Sequence, residues 1–293
     1  MQWNKIALIG VGLLGGSIGL AARKQKLARS VVGFVRRRAS IAECQKAGAV
    51  TRAVLDLQET VVDADLVILC TPIAQMARLA EEMLPFLQEG AIVTDVGSVK
   101  ASVIEALEAK IEQAGAHFVG SHPMAGSEQT GVKAARADLF KGAICVTTPT
   151  DRTSKTALRK TENFWRTLGS KVLRLSPELH DEFVSRSSHL PHLIAAVLAN
   201  TVLTPDQHTQ HRLCANGFRD TTRIASGSPE MWRDIAIANR KNLLSALGDF
   251  LRQVQTVRGL LEAANERGLT VFFEQAKNRR DQWRKKQISS SPE

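Results

Sequence analysis

Tyrosine is absent from the 293 residues, so any side chain that moves a proton here must be a histidine, carboxylate, lysine, serine or cysteine. Cysteine is scarce. Cys44, Cys70, Cys145 and Cys214 lie far apart and form no C-x-x-C pair. That spacing argues against a disulfide framework and for reduced, mostly buried thiols, the pattern of a cytoplasmic protein. No apolar run approaches the roughly 20 residues that cross a bilayer. With 20 Gly, 9 Pro and 44% hydrophobic residues, the chain is neither low-complexity nor disordered. The first residues lead straight into a strand-like run, so no secretory leader is expected.

Acidic residues are outnumbered. Thirty-nine Lys and Arg against 29 Asp and Glu give a net charge of +10. Much of the excess sits in Arg36-Arg37-Arg38 and in Lys277–Lys286, where six basic residues accompany one acid. Solubility or an anionic small ligand accounts for this. Nucleic-acid binding would call for an aromatic or helix-turn-helix context that the chain lacks. Neither a nucleic acid nor a membrane is expected as a partner.

The length suits two domains. Through residue 175, short β-branched runs alternate with helical patterns. Ile6–Ile9, Ser30–Val35, Leu66–Cys70, Ala91–Asp95 and His117–Gly120 read as buried strands, with Ala143–Val146 and Lys171–Leu175 as two more. Leu14–Gln25, Ala39–Ala47, Ala74–Leu87 and Val99–Ala114 read as helices between them. This rhythm predicts an α/β fold, a Rossmann-type doubly wound parallel sheet over 1–175. From 176 to 287 the pattern is long, helical and rich in Ala and Leu, with helices at Pro177–Leu203, Asp206–Asn216, Pro229–Leu251 and Leu251–Gly268. Its apolar faces exceed what one small layer buries, which predicts a homodimer through an all-helical domain. Residues 288–293 are expected to be a flexible tail.

The first strand runs into Gly10-Val11-Gly12-Leu13-Leu14-Gly15. This is G-x-G-x-x-G between a strand and a helix, the context that makes the motif a dinucleotide fingerprint. Gly10 makes the turn, Gly12 admits the pyrophosphate and Gly15 lets helix and strand pack closely. The helix N-terminus, with Leu13 and Leu14 in its first turn, offers free N–H groups to phosphate. At the end of the second strand an NAD enzyme carries an acid for the ribose 2′-hydroxyl. Here that position is Val35, and Arg36 and Arg37 follow. A guanidinium there can clamp a 2′-phosphate, so NADP is expected rather than NAD.

Three more segments follow strand ends: Thr71-Pro72-Ile73, Asp95-Val-Gly-Ser98-Val-Lys100 and Gly120-Ser-His122-Pro-Met-Ala-Gly-Ser-Glu128. They lie on the sheet edge where ligands bind. A fourth, Ser188-His189-Leu-Pro191-His192, lies in the helical part, followed by Phe218–Ala225 and by Met231-Trp232-Arg-Asp-Ile235. His189 and His192 have a spacing that could ligate a metal. Pro191 between them, and the lack of a matching second set, argue against one.

In this order, over Ile6 to about Asn239, these motifs resemble the prephenate/arogenate dehydrogenase family of tyrosine biosynthesis. The resemblance implies an oxidative decarboxylation with NAD(P)+, in which the ring loses its carboxylate as CO2 and becomes aromatic. It implies that His122 accepts a hydrogen bond from the substrate 4-hydroxyl, and that Ser98 bonds the same hydroxyl or His122. Ser98 could equally cap a helix starting at Val99, and Lys100 reads as a surface residue of its first turn. Arg223 is implied as the carboxylate anchor, with His192, Glu128 and Trp232 around the substrate. Gly10, Gly12, Leu13, Leu14, Gly15, Arg36, Arg37, Thr71 and Pro72 are implied at the cofactor. Prephenate is the expected substrate. The alternatives are an NADP-dependent arogenate dehydrogenase and another two-domain NADP-dependent hydroxyacid dehydrogenase. A stand-alone dehydrogenase is expected, without a regulatory or mutase domain.

Overall fold

The computed structural model describes residues 2–205 and 208–289. Eight strands form one sheet: β1 (Trp3–Ile9), β2 (Ala28–Phe34), β3 (Arg52–Val54), β4 (Leu66–Leu69), β5 (Ile92–Asp95), β6 (His117–Pro123), β7 (Ile144–Thr148) and β8 (Lys171–Arg174). Their order is β3-β2-β1-β4-β5-β6-β7-β8. The first six are parallel, with the strand order reversing between β1 and β4, as in a Rossmann sheet. Two features depart from the expected all-parallel sheet of seven strands. β7 runs antiparallel to β6, and β3 is an eighth strand. Only three residues long, on the sheet edge, β3 gives no periodic signal to read.

Six helices cover the sheet: α1 (Leu13–Lys24), α2 (Arg38–Lys46), α3 (Leu57–Val61), α4 (Ile73–Met83), α5 (Ala101–Gln113) and α6 (Lys155–Thr167). Alternate residues of β1 divide between the two faces. Ile6 and Leu8 join the core that contains Ile18 and Trp165, while Ala7 and Ile9 join the one that contains Met76 and Leu107. Burial on both faces explains the unbroken apolar runs of β1 and β4.

After β8 come α7 (Pro177–Val184), α8 (Leu190–Val202), α9 (His208–His211), α10 (Asn216–Thr222), α11 (Pro229–Ala238), α12 (Arg240–Glu262) and α13 (Glu266–Ser289). The single helix expected over Pro177–Leu203 is interrupted by a π turn, Ser185–His189. Pro191, which enters α8 in its first turn, has no N–H to donate and would crowd the carbonyl one turn back; the wider turn relieves that conflict. The helix expected over Asp206–Asn216 reduces to the four residues of α9, and Asp206 itself lies outside the described residues. The helices expected over Pro229–Leu251 and Leu251–Gly268 break instead at Asn239 and between Glu262 and Glu266, and Leu251 is mid-helix in α12. α13 continues through Ser289, past the expected start of a tail at 288; residues 290–293 lie outside the described residues.

Residues up to Leu243 form one compact unit, which includes α7–α11 with the sheet, and Leu244–Glu293 form another. Among the described residues no helix is long and apolar enough to cross a membrane.

Candidate active site

The glycine loop lies at the carboxyl end of β1. Gly10 has φ +102°, a left-handed conformation that glycine adopts without strain. A Cβ on Gly15 would lie 2.1 Å from the Gly10 carbonyl oxygen, so any larger residue would push α1 off the turn. A Cβ on Gly12 would meet nothing within 4 Å. The loop is therefore open where Gly12 stands and tight where Gly15 stands. Gly12 caps α1 without a side-chain hydrogen bond, leaving first-turn N–H groups for an anion. Leu13 and Leu14 are half-buried in that turn. Thr71 packs its methyl beside Gly10, and its Oγ1 is buried without a hydrogen-bond partner. Pro72 caps the start of α4 beside it. These residues fit a dinucleotide. Beyond β2, Val35 is buried and Arg36 and Arg37 are exposed, with no ion pair among the described residues.

Lys100 is wholly buried, not a surface residue of the α5 turn as its local pattern suggests. Its ammonium pairs with the equally buried Asp95 carboxylate and donates to the Ser121 carbonyl oxygen at 2.9 Å. The other consequence of Asp95 is Gly97, whose N–H donates to Oδ2 at 2.8 Å. A Cβ at Gly97 would meet that oxygen at 2.9 Å. α5 starts at Ala101, and the N–H groups of Lys100 and Ala101 donate to the Asp181 carboxylate of α7 at 2.7 and 2.9 Å. Ser98, half-buried and two residues upstream of Lys100, therefore does not cap this helix.

His122, near the carboxyl end of β6, is 8% exposed. Its Nδ1 lies 2.9 Å from Nε2 of His180 in α7. His180 Nδ1 lies in turn 2.8 Å from Asp181 Oδ1. Burial holds His122 well below the ordinary histidine range, reinforced by His180, the Lys100 ammonium and His189. The imidazole is thus neutral, the form that accepts a proton.

In the helical part, Trp232 of α11 stacks on His192, ring centroids 3.6 Å apart, and meets His189 edge-on at 6.1 Å. His192 Nδ1 donates to the Ser188 carbonyl oxygen at 3.0 Å. The buried Asn239 amide donates to the Asp181 carbonyl oxygen at 2.8 Å and lies 3.2 Å from His189 Nδ1. Burial pushes His189 down to about 4. Arg223, just past α10, donates from Nη1 to Glu128 Oε2 at 2.9 Å. The pair is more than a third exposed, so it holds its partners weakly.

The structure thus brings two pairs of expected residues together, His192 with Trp232 and Arg223 with Glu128, and sets His122 against His180, which was not expected. Sequence reasoning missed Asp95, His180, Asp181 and Asn239. Asp95 had a signal, being an acid at a strand end five residues before a lysine. His180-Asp181 had none beyond its place in a helix, since the partners lie far off in the chain.

The fold and the site define a nicotinamide-dinucleotide-dependent oxidoreductase with a helical part after its Rossmann-type sheet. Two family descriptions match: prephenate dehydrogenase, nucleotide-binding domain, over residues 18–174, and prephenate dehydrogenase, dimerization domain, over residues 176–275. The chain belongs to the prephenate dehydrogenase family. It is 34% identical over 290 residues to a prephenate dehydrogenase of Bacillus subtilis, covering 95% of this chain and 76% of that protein. It is 33% identical to a cyclohexadienyl dehydrogenase of Zymomonas mobilis, covering 95% of each. A crystal structure of prephenate dehydrogenase from Aquifex aeolicus, in complex with hydroxyphenyl propionate and NAD+, superimposes with a TM-score of 0.89 at 30% identity, covering 96% of this chain and 99% of that one.

Proposed function

We propose that this chain oxidises prephenate to 4-hydroxyphenylpyruvate with NADP+, in the cytoplasm and as a homodimer. The observation that carries the reaction is the buried, neutral His122 at the sheet edge that also presents the open glycine loop. Prephenate carries a C4 carbinol and a ring carboxylate. When bound, the nicotinamide supplies a two-electron acceptor at C4. His122 Nε2 accepts the hydroxyl proton as C4 becomes carbonyl-like. Loss of CO2 then makes the ring aromatic, and the phenolate oxygen takes the proton back, so no net proton is released. Ser98 orients the hydroxyl and His122. Arg223 leaves Glu128 to bind a substrate carboxylate bidentately. His192, with Trp232 stacked behind it, lines the ring site.

Arg36 and Arg37, without an ion pair among the described residues, and Val35 in the acidic position of NAD enzymes support the 2′-phosphate of NADP. We place the nucleotide-binding part at residues 1–175 and the substrate-binding and dimerising part at 176–287. The four free cysteines support a reducing compartment. Exposed Leu244, Leu251, Val254 and Leu261 recur along one side of α12 and support an association surface. His122→Asn tests the catalytic assignment. It should lower kcat on the order of 1,000-fold while leaving the NADP+ dissociation constant unchanged. A His122→Asn enzyme with wild-type kcat contradicts the assignment.

A further inference from the structure

We infer that Asp181, His180 and His122 form a relay that fixes the tautomer of His122 and takes onto His180 the proton His122 receives from the substrate. This rests on the proposed role of His122. A carboxylate only accepts, and Asp181 already accepts from two main-chain N–H groups. His180 Nδ1 must therefore be the donor in its 2.8 Å contact with Asp181. A neutral His180 then has a bare Nε2, so His122 must donate from Nδ1 across 2.9 Å. That leaves the lone pair of His122 on Nε2, which makes no hydrogen bond among the described residues.

An imidazolium at His122 would be buried and would face the Lys100 ammonium at the start of α5. From the other elements it faces His189 of the π turn, Cys145 of β7 and, behind Lys100, Asp95 of β5. His180 is also buried, but its Nδ1 contacts the Asp181 carboxylate directly, whereas the Lys100 ammonium is bonded to Asp95 and reaches Asp181 only through space. As the hydroxyl proton bonds to His122 Nε2, the Nδ1 proton passes to His180 Nε2. His122 stays neutral, and the positive charge rests beside Asp181. Aromatisation reverses both transfers, so the relay is restored without exchange with solvent.

The test combines imidazole nitrogen-15 NMR of the nucleotide-free protein with kinetics of His180→Gln. Glutamine places an oxygen near Nε2 that accepts the His122 Nδ1 proton but does not carry it onward. The relay predicts His122 protonated on Nδ1 in both proteins. It predicts kcat of His180→Gln lower on the order of 100-fold, with KM for prephenate unchanged. The dependence of kcat on solvent deuterium fraction should be curved in the wild type, from two protons in flight, and linear in the variant. A wild-type His122 protonated on Nε2, or a variant with wild-type kcat and the same curvature, overturns the relay. His122→Asn in the same assay separates the two levels. If it is inactive while His180→Gln is unaffected, only the relay fails; if it retains full kcat, the functional reading fails as well.

Discussion

Lys100 shows how one residue couples stability to chemistry. Taking its ammonium out of water is costly, and the Asp95 carboxylate and the Ser121 carbonyl offset that cost. Burial pulls the amine below its ordinary range while Asp95 pulls it back up. Lys100→Met should therefore strand Asp95 and destabilise the protein by about 3–5 kcal/mol, read as a lower urea midpoint at unchanged slope. A midpoint like that of the wild type would mean the pair is not buried. This residue was misread from sequence because local pattern assigns it to a helix start, and helix starts are commonly solvated. Its burial depends on Asp95 and on the β6 carbonyl, whose positions follow from sheet order rather than from helical period. His122 was legible because its motif is local. His180 and Asp181 were not, because their meaning comes from β6 and the start of α5.

At the scale of the element, the β1–α1 turn was readable glycine by glycine. Gly10 supplies the left-handed turn, Gly12 leaves the loop open, and Gly15 makes room for the Gly10 carbonyl. The two inner glycines should behave oppositely. Gly15→Ala forces its Cβ against the Gly10 carbonyl and should lower Tm by several degrees, about 2 °C for each 1 kcal/mol lost. Gly12→Ala meets nothing, so Tm should hold while the dissociation constant of the nicotinamide dinucleotide rises. Equal Tm losses in both variants would contradict the open cradle. The π turn before α8 was hidden, though its cause, Pro191, was in plain view: a helical pattern with an internal proline allows a kink, a break or a widened turn. β7 was visible as a strand but not in its direction, which no periodicity encodes.

At the scale of the molecule, two properties follow from what is buried and what is not. Histidines held neutral inside the fold bind fewer protons than they do unfolded. Below about pH 6.5 the unfolded chain gains protons that the native state refuses, so stability falls as the pH drops from 6.5 towards 4. For His189, held at about 4 against 6.5, the loss approaches about 3 kcal/mol at about 1.4 kcal/mol per pH unit. His189→Gln should flatten the fall of stability between pH 7 and pH 4.5 relative to wild type; parallel curves would contradict the assignment. The exposed apolar side of α12 predicts a dimer. Leu251→Asp should shift the light-scattering mass toward that of one chain, and a wild-type monomer would remove the basis for that surface.

The most direct measurement is kcat/KM for prephenate and for arogenate, each with NAD+ and with NADP+. The proposed function predicts the highest value for prephenate with NADP+, falling when Arg36 and Arg37 are both replaced by serine. A preference for NAD+ would reduce the arginines to surface charge. Turnover of neither substrate with either nucleotide would contradict the account of the site itself.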